Sequence, residues 1–198
     1  MEKLDAMVAA LGVLVLAVAL GGVVTAPPAA GAGSFTIGFV ADRATLPAAQ
    51  ANQAGDGTAR VPIPVSILNV SRLEFAVTVT LTGAAPTTTV SVAVEGPAGQ
   101  RGSGAGSGGA QAGLTSSQTV SVPVDVAALP PPATVQAASA DAALAAANST
   151  AVNGTGAWTV SVTINSGLPA SPAQAGISVA TTVISYHAVV QPPVANPR

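Results

Sequence analysis

Cysteine is absent from the sequence, which excludes disulfide staples and thiolate metal sites. Lysine occurs once, at Lys3, and histidine once, at His187. Only 7% of residues are charged, against roughly 25% in ordinary soluble domains. After residue 33 the charges are five arginines, scattered from Arg43 to Arg198, and six carboxylates. Nucleic-acid binding needs clustered cations facing the phosphates, so no nucleic-acid partner is expected. Disorder is excluded on the opposite ground, because disordered chains are poor in apolar residues and rich in charge. Aromatics are scarce too: Phe35, Phe39, Phe75, Trp158 and Tyr186 are the whole set. That leaves little for a stacking platform against sugar rings.

What the chain has instead is Ala, Val, Thr, Ser and Gly. Residues 7–26 form an uncharged apolar run of twenty, long enough to cross a bilayer as a helix. Lys3 precedes it and no further cation occurs until Arg43, so the positive-inside rule places the rest of the chain outside. Two readings stay open. The run is either the core of a signal peptide cut after Ala30-Gly31-Ala32 or a retained anchor helix. Both predict an extracellular or cell-surface protein that meets the membrane at least transiently. The expected organisation is an export segment at 1–32, one domain at 33–191 and a tail at 192–198.

Within that domain the dominant signal is period-2 alternation. Leu73, Phe75, Val77, Val79 and Leu81 alternate with Glu74, Ala76, Thr78, Thr80 and Thr82. Val90 to Val94, Val120 to Val126 and Trp158 to Ile164 repeat the pattern. Further strands are expected at 34–41, 60–69 and 177–190, the last carrying apolar residues in both registers. Pro62 and Pro64 lack backbone donors and mark an edge. The expectation is an all-β antiparallel sandwich of seven or eight strands, Ig-like or jelly-roll-like. Gly83-Ala84-Ala85-Pro86 looks like a hairpin loop. The Gly/Ser-rich stretch 96–113 is expected to be a flexible excursion, and residues 139–148 a short helix with Asp141 near its start.

The search for chemistry returns little. His187 sits beside Tyr186 in the last expected strand and reads as structural, since a catalytic histidine needs a nucleophile or an orienting acid in space. Gly176-Ile177-Ser178-Val179-Ala180 fails the nucleophile-elbow pattern at its last position. Glu74 and Glu95 are outward-facing strand residues, the ordinary place for solvated carboxylates, although paired carboxylates can cleave glycosides. Asp56 between two glycines reads as a turn residue without the spaced oxygens of a calcium loop. The glycine run 102–109 lacks the lysine of a phosphate loop. No enzyme activity, cofactor or metal is expected. Asn69, Asn148 and Asn153 head N-glycosylation sequons, which suits an exported surface.

Residues 34–41 (SFTIGFVA) place Phe35, Ile37 and Phe39 on one face. About 18 residues then separate this segment from the next expected strand. A strand on a long linker can pair in its own domain or in a neighbour's, and pairing in a neighbour builds filaments. Val65-Ser66-Ile67-Leu68-Asn69-Val70-Ser71 leading into 74–82 resembles the Asn-containing turn of exported fibre-forming proteins of the TasA/camelysin type and of archaeal bundling-pilus subunits. The plan of one export segment, a short aromatic strand and a single sandwich is similar as well. Gly33-Ser34-Phe35 departs from their expected start. The resemblance implies a surface filament, pilus or matrix subunit that self-associates by β-strand addition through Phe35, Ile37 and Phe39. The alternative is a secreted or membrane-tethered sandwich that binds a glycan or a protein.

Overall fold

Alternating apolar and small polar side chains become strands with one dry face, because successive side chains point to opposite sides of a sheet. The computed structural model describes residues 33–83, 88–107, 115–148, 152–166 and 174–191. The proposed export helix and the 192–198 tail lie outside these residues. Among them are nine strands: β1 (Gly33–Ala54), β2 (Gly57–Val65), β3 (Val70–Thr82), β4 (Thr89–Glu95), β5 (Arg101–Ser107), β6 (Thr115–Asp125), β7 (Ala133–Ala137), β8 (Gly156–Asn165) and β9 (Gln174–Gln191). One helix, α1 (Ala140–Ala147), lies between β7 and β8. No helix among the described residues is long and apolar enough to cross a membrane.

The strands form two antiparallel sheets, ordered β6-β3-β9-β1-β7 and β2-β8-β4-β5. Their pairings nest: β1 with β9, β2 with β8, β3 with β6 and β4 with β5. A long antiparallel ribbon with its tip at residues 96–100 has been rolled into two layers, which is the jelly-roll arrangement. β7 and α1 are an insertion between the sixth and seventh strands of that roll. The all-β sandwich is as expected, with one strand more than the upper count.

The main core fills the space between the sheets. Phe75 of β3 and Trp158 of β8 are wholly buried at its centre, ring centroids 5.7 Å apart. The Trp158 indole Nε1 donates to the Gly154 carbonyl at 2.8 Å, which satisfies its one polar atom. Val77, Val79, Val160, Val162 and Val179 complete the layer. Pro62 and Pro64 lie on β2, an edge strand paired only with β8.

Four expectations are corrected. The segment 34–41 is not on a long linker. β1 runs unbroken from Gly33 to Ala54 and is paired with β9 from Thr36 to Ala54, interrupted by a bulge between Leu46 and Ala49. Pro47 sits in that bulge, where its missing donor costs no ladder bond. Gly83 does not open a hairpin, since β3 and β4 lie in different sheets. The expected flexible excursion contains a strand, β5. Its glycines Gly102 and Gly104 face Val124, Val122 and Val120 of β6 so closely that an added Cβ would stand 2.7 Å from a valine methyl. Glycine here lets the edges of the two sheets close. Finally, β9 does not bury both faces along its whole length. Its odd-numbered residues from Ala175 to Val183 face the main core, whereas Ala188 and Val190 belong to a second core on the opposite face.

That second core is built by the ends of β1 and β9 where they run past the roll. Ile37, Ala143 and Ala188 are its buried centre, with Phe35, Phe39, Val135 and Leu144 packed around them. α1 roofs it. The Ser139 side chain accepts from the Ala142 amide at 3.1 Å and caps the helix start. The Asn148 amide bonds the Leu144 carbonyl at its end.

Candidate functional site

The structure gathers Phe35, Ile37 and Phe39 in one place. They alternate down the first turnless stretch of β1 and enter the gap between β9 on one side and β7 on the other. Ile37 is fully buried, and Phe39 meets Tyr186 edge-on at 5.9 Å between centroids. Thr36 pairs with Gln191 and Gly33 with Ala137, so the first and last described strands end together. The site is therefore a strand-filled groove whose walls are β7 and β9 and whose roof is α1.

β1 serves both cores. Leu46, Ala49 and Ala51, on either side of the bulge, pack on the main core, whereas Phe35, Ile37 and Phe39 near its start serve only the small core. The pre-bulge strand is pinned by two polar contacts. His187 Nδ1 lies 2.6 Å from Asp42 Oδ2, and Arg43 reaches across β9 to Glu74 at 3.1 Å. Glu74 also faces Arg72 at 3.6 Å, and Arg72 faces Asp125 at 3.7 Å. All of these are solvated, and such pairs contribute about 0–1 kcal/mol each.

The Asp42–His187 pair was invisible in sequence, since its members lie 145 residues apart. It has the acid–imidazole half of a catalytic triad. Among the described residues the hydrogen bond to Asp42 is the one polar side-chain contact His187 makes. Glu74 and Glu95 fall on the outer faces of different sheets and cannot share a substrate; Glu95 pairs instead with Arg101 at 3.3 Å. Asp56 is a turn residue with a fixed role: its carboxylate accepts from the Ser166 amide and hydroxyl, both at 3.0 Å. No cluster of three or more metal-ligating side chains occurs among the described residues.

The three sequon asparagines fall at the end of the roll where the small core begins. Asn148 and Asn153 are exposed and Asn69 is half-buried, with a left-handed backbone at φ 53°. The sequon hydroxyl of Thr155 donates to the Ile67 carbonyl at 2.9 Å. Two shallow depressions of about 450 and 420 Å³ adjoin on the outer face of the four-stranded sheet. Ser91, Ser103, Ser161 and Thr163 line them, with Glu95 and Arg101 at one end.

No known protein family matches the chain, and no curated protein does. Solved structures share part of its course. One of infectious bursal disease virus, Gx strain, is 14% identical with a TM-score of 0.35, covering 80% of this chain and 38% of that one. A serine protease of Aeromonas sobria is 13% identical at a TM-score of 0.31, covering 73% and 27%. The VP2 subviral particle of the same virus is 13% identical at 0.29, covering 79% and 43%. The chain spans less than half the length of each. At these scores the likeness carries no argument about fold or function. These comparisons show no fibre-forming family.

Proposed function

We propose that the protein is an extracellular structural subunit that self-associates by β-strand addition and has no catalytic role. The observation that carries this reading is that the N-terminal stretch of β1 closes a core of its own. The main sandwich is filled without Phe35, Ile37 and Phe39, whereas the groove between β7 and β9 has no other filling. A groove of that kind accepts main-chain hydrogen bonds along both walls and side chains at alternate positions, which is how strand addition achieves affinity and register. The same stretch of a second copy carries the same three side chains and fits the same groove. The hinge for exchange is the Pro47 bulge rather than a long linker. Neutral Ser/Thr faces support the reading, because little charge repulsion opposes close packing of copies.

The test is complementation. A chain lacking residues 33–42 is expected to bind a synthetic peptide of that sequence at one per chain and to recover stability. A peptide with Ile37→Asp and Phe39→Asp is expected not to bind. Equal binding of both peptides, or none of either, would refute strand addition at this groove.

A second reading, a surface module that binds a glycan, is favoured by the hydroxyl-lined depressions beside Glu95 and Arg101. Glycan-array binding that disappears in Ser103→Val together with Ser161→Val would establish it.

A further inference from the structure

Among the described residues the edge strands of the two sheets are β6, β7, β2 and β5. β5 and β6 lie against each other, with Gly102 and Gly104 beneath the β6 valines. β2 carries Pro62 and Pro64. β1 is open past the end of β7, and there it carries Asp42, Arg43 and the bulge at Pro47. β9 past Tyr186 is bordered by the turn at Asn69, whose carbonyl takes the Tyr186 amide. Charge, proline, bulges and covering segments are the devices that keep an edge from pairing. β7 has none of them. It reads ATVQA, and its register against β1 is unbroken from Gly33↔Ala137 to Ile37↔Ala133.

The ladder itself says which backbone groups of β7 are left over. The Tyr186 amide and the Ile184 carbonyl both point away from β1, to Asn69 and Ser71. Directions alternate along a strand, so His187, Val189 and Gln191 bond to their partners Val40, Gly38 and Thr36. On β1 the odd residues Phe35 and Ile37 then point to β7, where they meet Val135 and Ala133. Thr134 and Gln136 are left with amide and carbonyl directed outward, and both residues are exposed. We propose that β7 is a second self-association surface: β7 of another copy pairs with it antiparallel, centred on Val135, and joins two five-stranded sheets into one.

Register and symmetry select this pairing. Centred on Val135, it sets Thr134 opposite Gln136 of the other copy, and each such pair exchanges both of its hydrogen bonds. Every outward amide and carbonyl of both strands is then satisfied. A pairing centred on Thr134 or on Gln136 leaves some of them unmet. No charge faces a like charge, because β7 carries none. The twofold axis stands perpendicular to the sheet. β7 pairs only with the first residues of β1, which run past the roll, and the axis turns the second roll the opposite way. α1 does not obstruct the partner: its exposed positions are Asp141, Ala142, Ala145 and Ala146, mostly single methyl groups. Five residues a side bury little area, so the contact is weak alone and suits copies already held close together. The inference goes beyond strand addition, because it uses a different edge and gives a closed pair.

The absence of cysteine makes the test clean. Val135→Cys puts one thiol on each side of the axis, on Cα atoms about 4.5 Å apart, within reach of a disulfide. The full-length protein, oxidised with copper-phenanthroline, is expected to give a covalent dimer. Ser121→Cys, on the closed edge β6, is expected to stay single. In the Val135→Cys chain, Thr134→Lys with Gln136→Lys sets lysine against lysine across the seam and is expected to give about tenfold less dimer. Thr134→Lys with Gln136→Glu sets opposite charges there and is expected to restore it, although both pairs of changes burden the fold alike. No dimer from Val135→Cys overturns the proposal, as does equal dimer from Ser121→Cys or equal loss in both double variants. Strand addition is read separately, by peptide complementation, so either idea can fail while the other stands.

Discussion

Ile37 of β1 and Ala143 of α1 are both completely buried, and they share a core that the main sandwich does not touch. The domain therefore has two hydrophobic centres on opposite faces of one sheet. Cutting Ile37 back to Ala removes three methyl(ene) carbons from the smaller one. Such truncations cost about 2–5 kcal/mol where the site cannot collapse. Ile37→Ala is expected to speed amide exchange in β7, α1 and residues 186–191 while Val77 and Val162 stay protected. Hydrogen exchange read by mass spectrometry checks this, and uniform acceleration would mean the two cores unfold as one.

Gly104 holds β5 against Val120 of β6, with 2.7 Å between the valine and any added Cβ. Gly104→Val forces the two sheets apart and is expected to cost about 1–3 kcal/mol, the usual range for overpacking. Ser103→Val, on the outer face of the same strand, is expected to stay within about 0.5 kcal/mol. Urea unfolding of the two variants separates them.

Thr181 is buried at 1% exposure on the core face of β9, and its hydroxyl has no hydrogen-bond partner among the described residues. Replacing it with the isosteric Val removes an unpaired polar atom without leaving a hole. Thr181→Val is expected to raise stability by about 1 kcal/mol, since an unmet buried hydroxyl costs about 1–3 kcal/mol. A fall in the unfolding midpoint would show that the hydroxyl is satisfied in solution.

Asp56 closes the far end by accepting two bonds from Ser166. Asp56→Ala leaves the Ser166 amide without that partner and is expected to cost about 1–2 kcal/mol. Asp56→Asn keeps an acceptor and is expected to recover part of it. Thermal unfolding of both variants is sufficient.

Most of the sandwich was legible because its strands bury one face, and one-face burial writes itself as alternation. Leu73 to Leu81 and Trp158 to Ile164 needed nothing more. The jelly-roll nesting was not legible, because pairing β1 with β9 depends on contacts across most of the chain. β5 was missed for a different reason. Gly and Ser in alternation read as a linker, yet the glycines are the packed face and their lack of a side chain is what β6 requires. The role of residues 34–41 was half legible. Phe35, Ile37 and Phe39 do share a face, but the small-residue stretch after Leu46 looked like a connection and is the rest of the same strand. The Asp42–His187 pair had no signal in sequence at all.

The account rests on the first residues of β1 serving as an exchangeable strand. Electron microscopy of the concentrated native protein, beside the same protein lacking residues 33–42, tests this most directly. The prediction is regular fibres from the intact chain and none from the shortened one. Single particles from both, or fibres that persist without those residues, would contradict it.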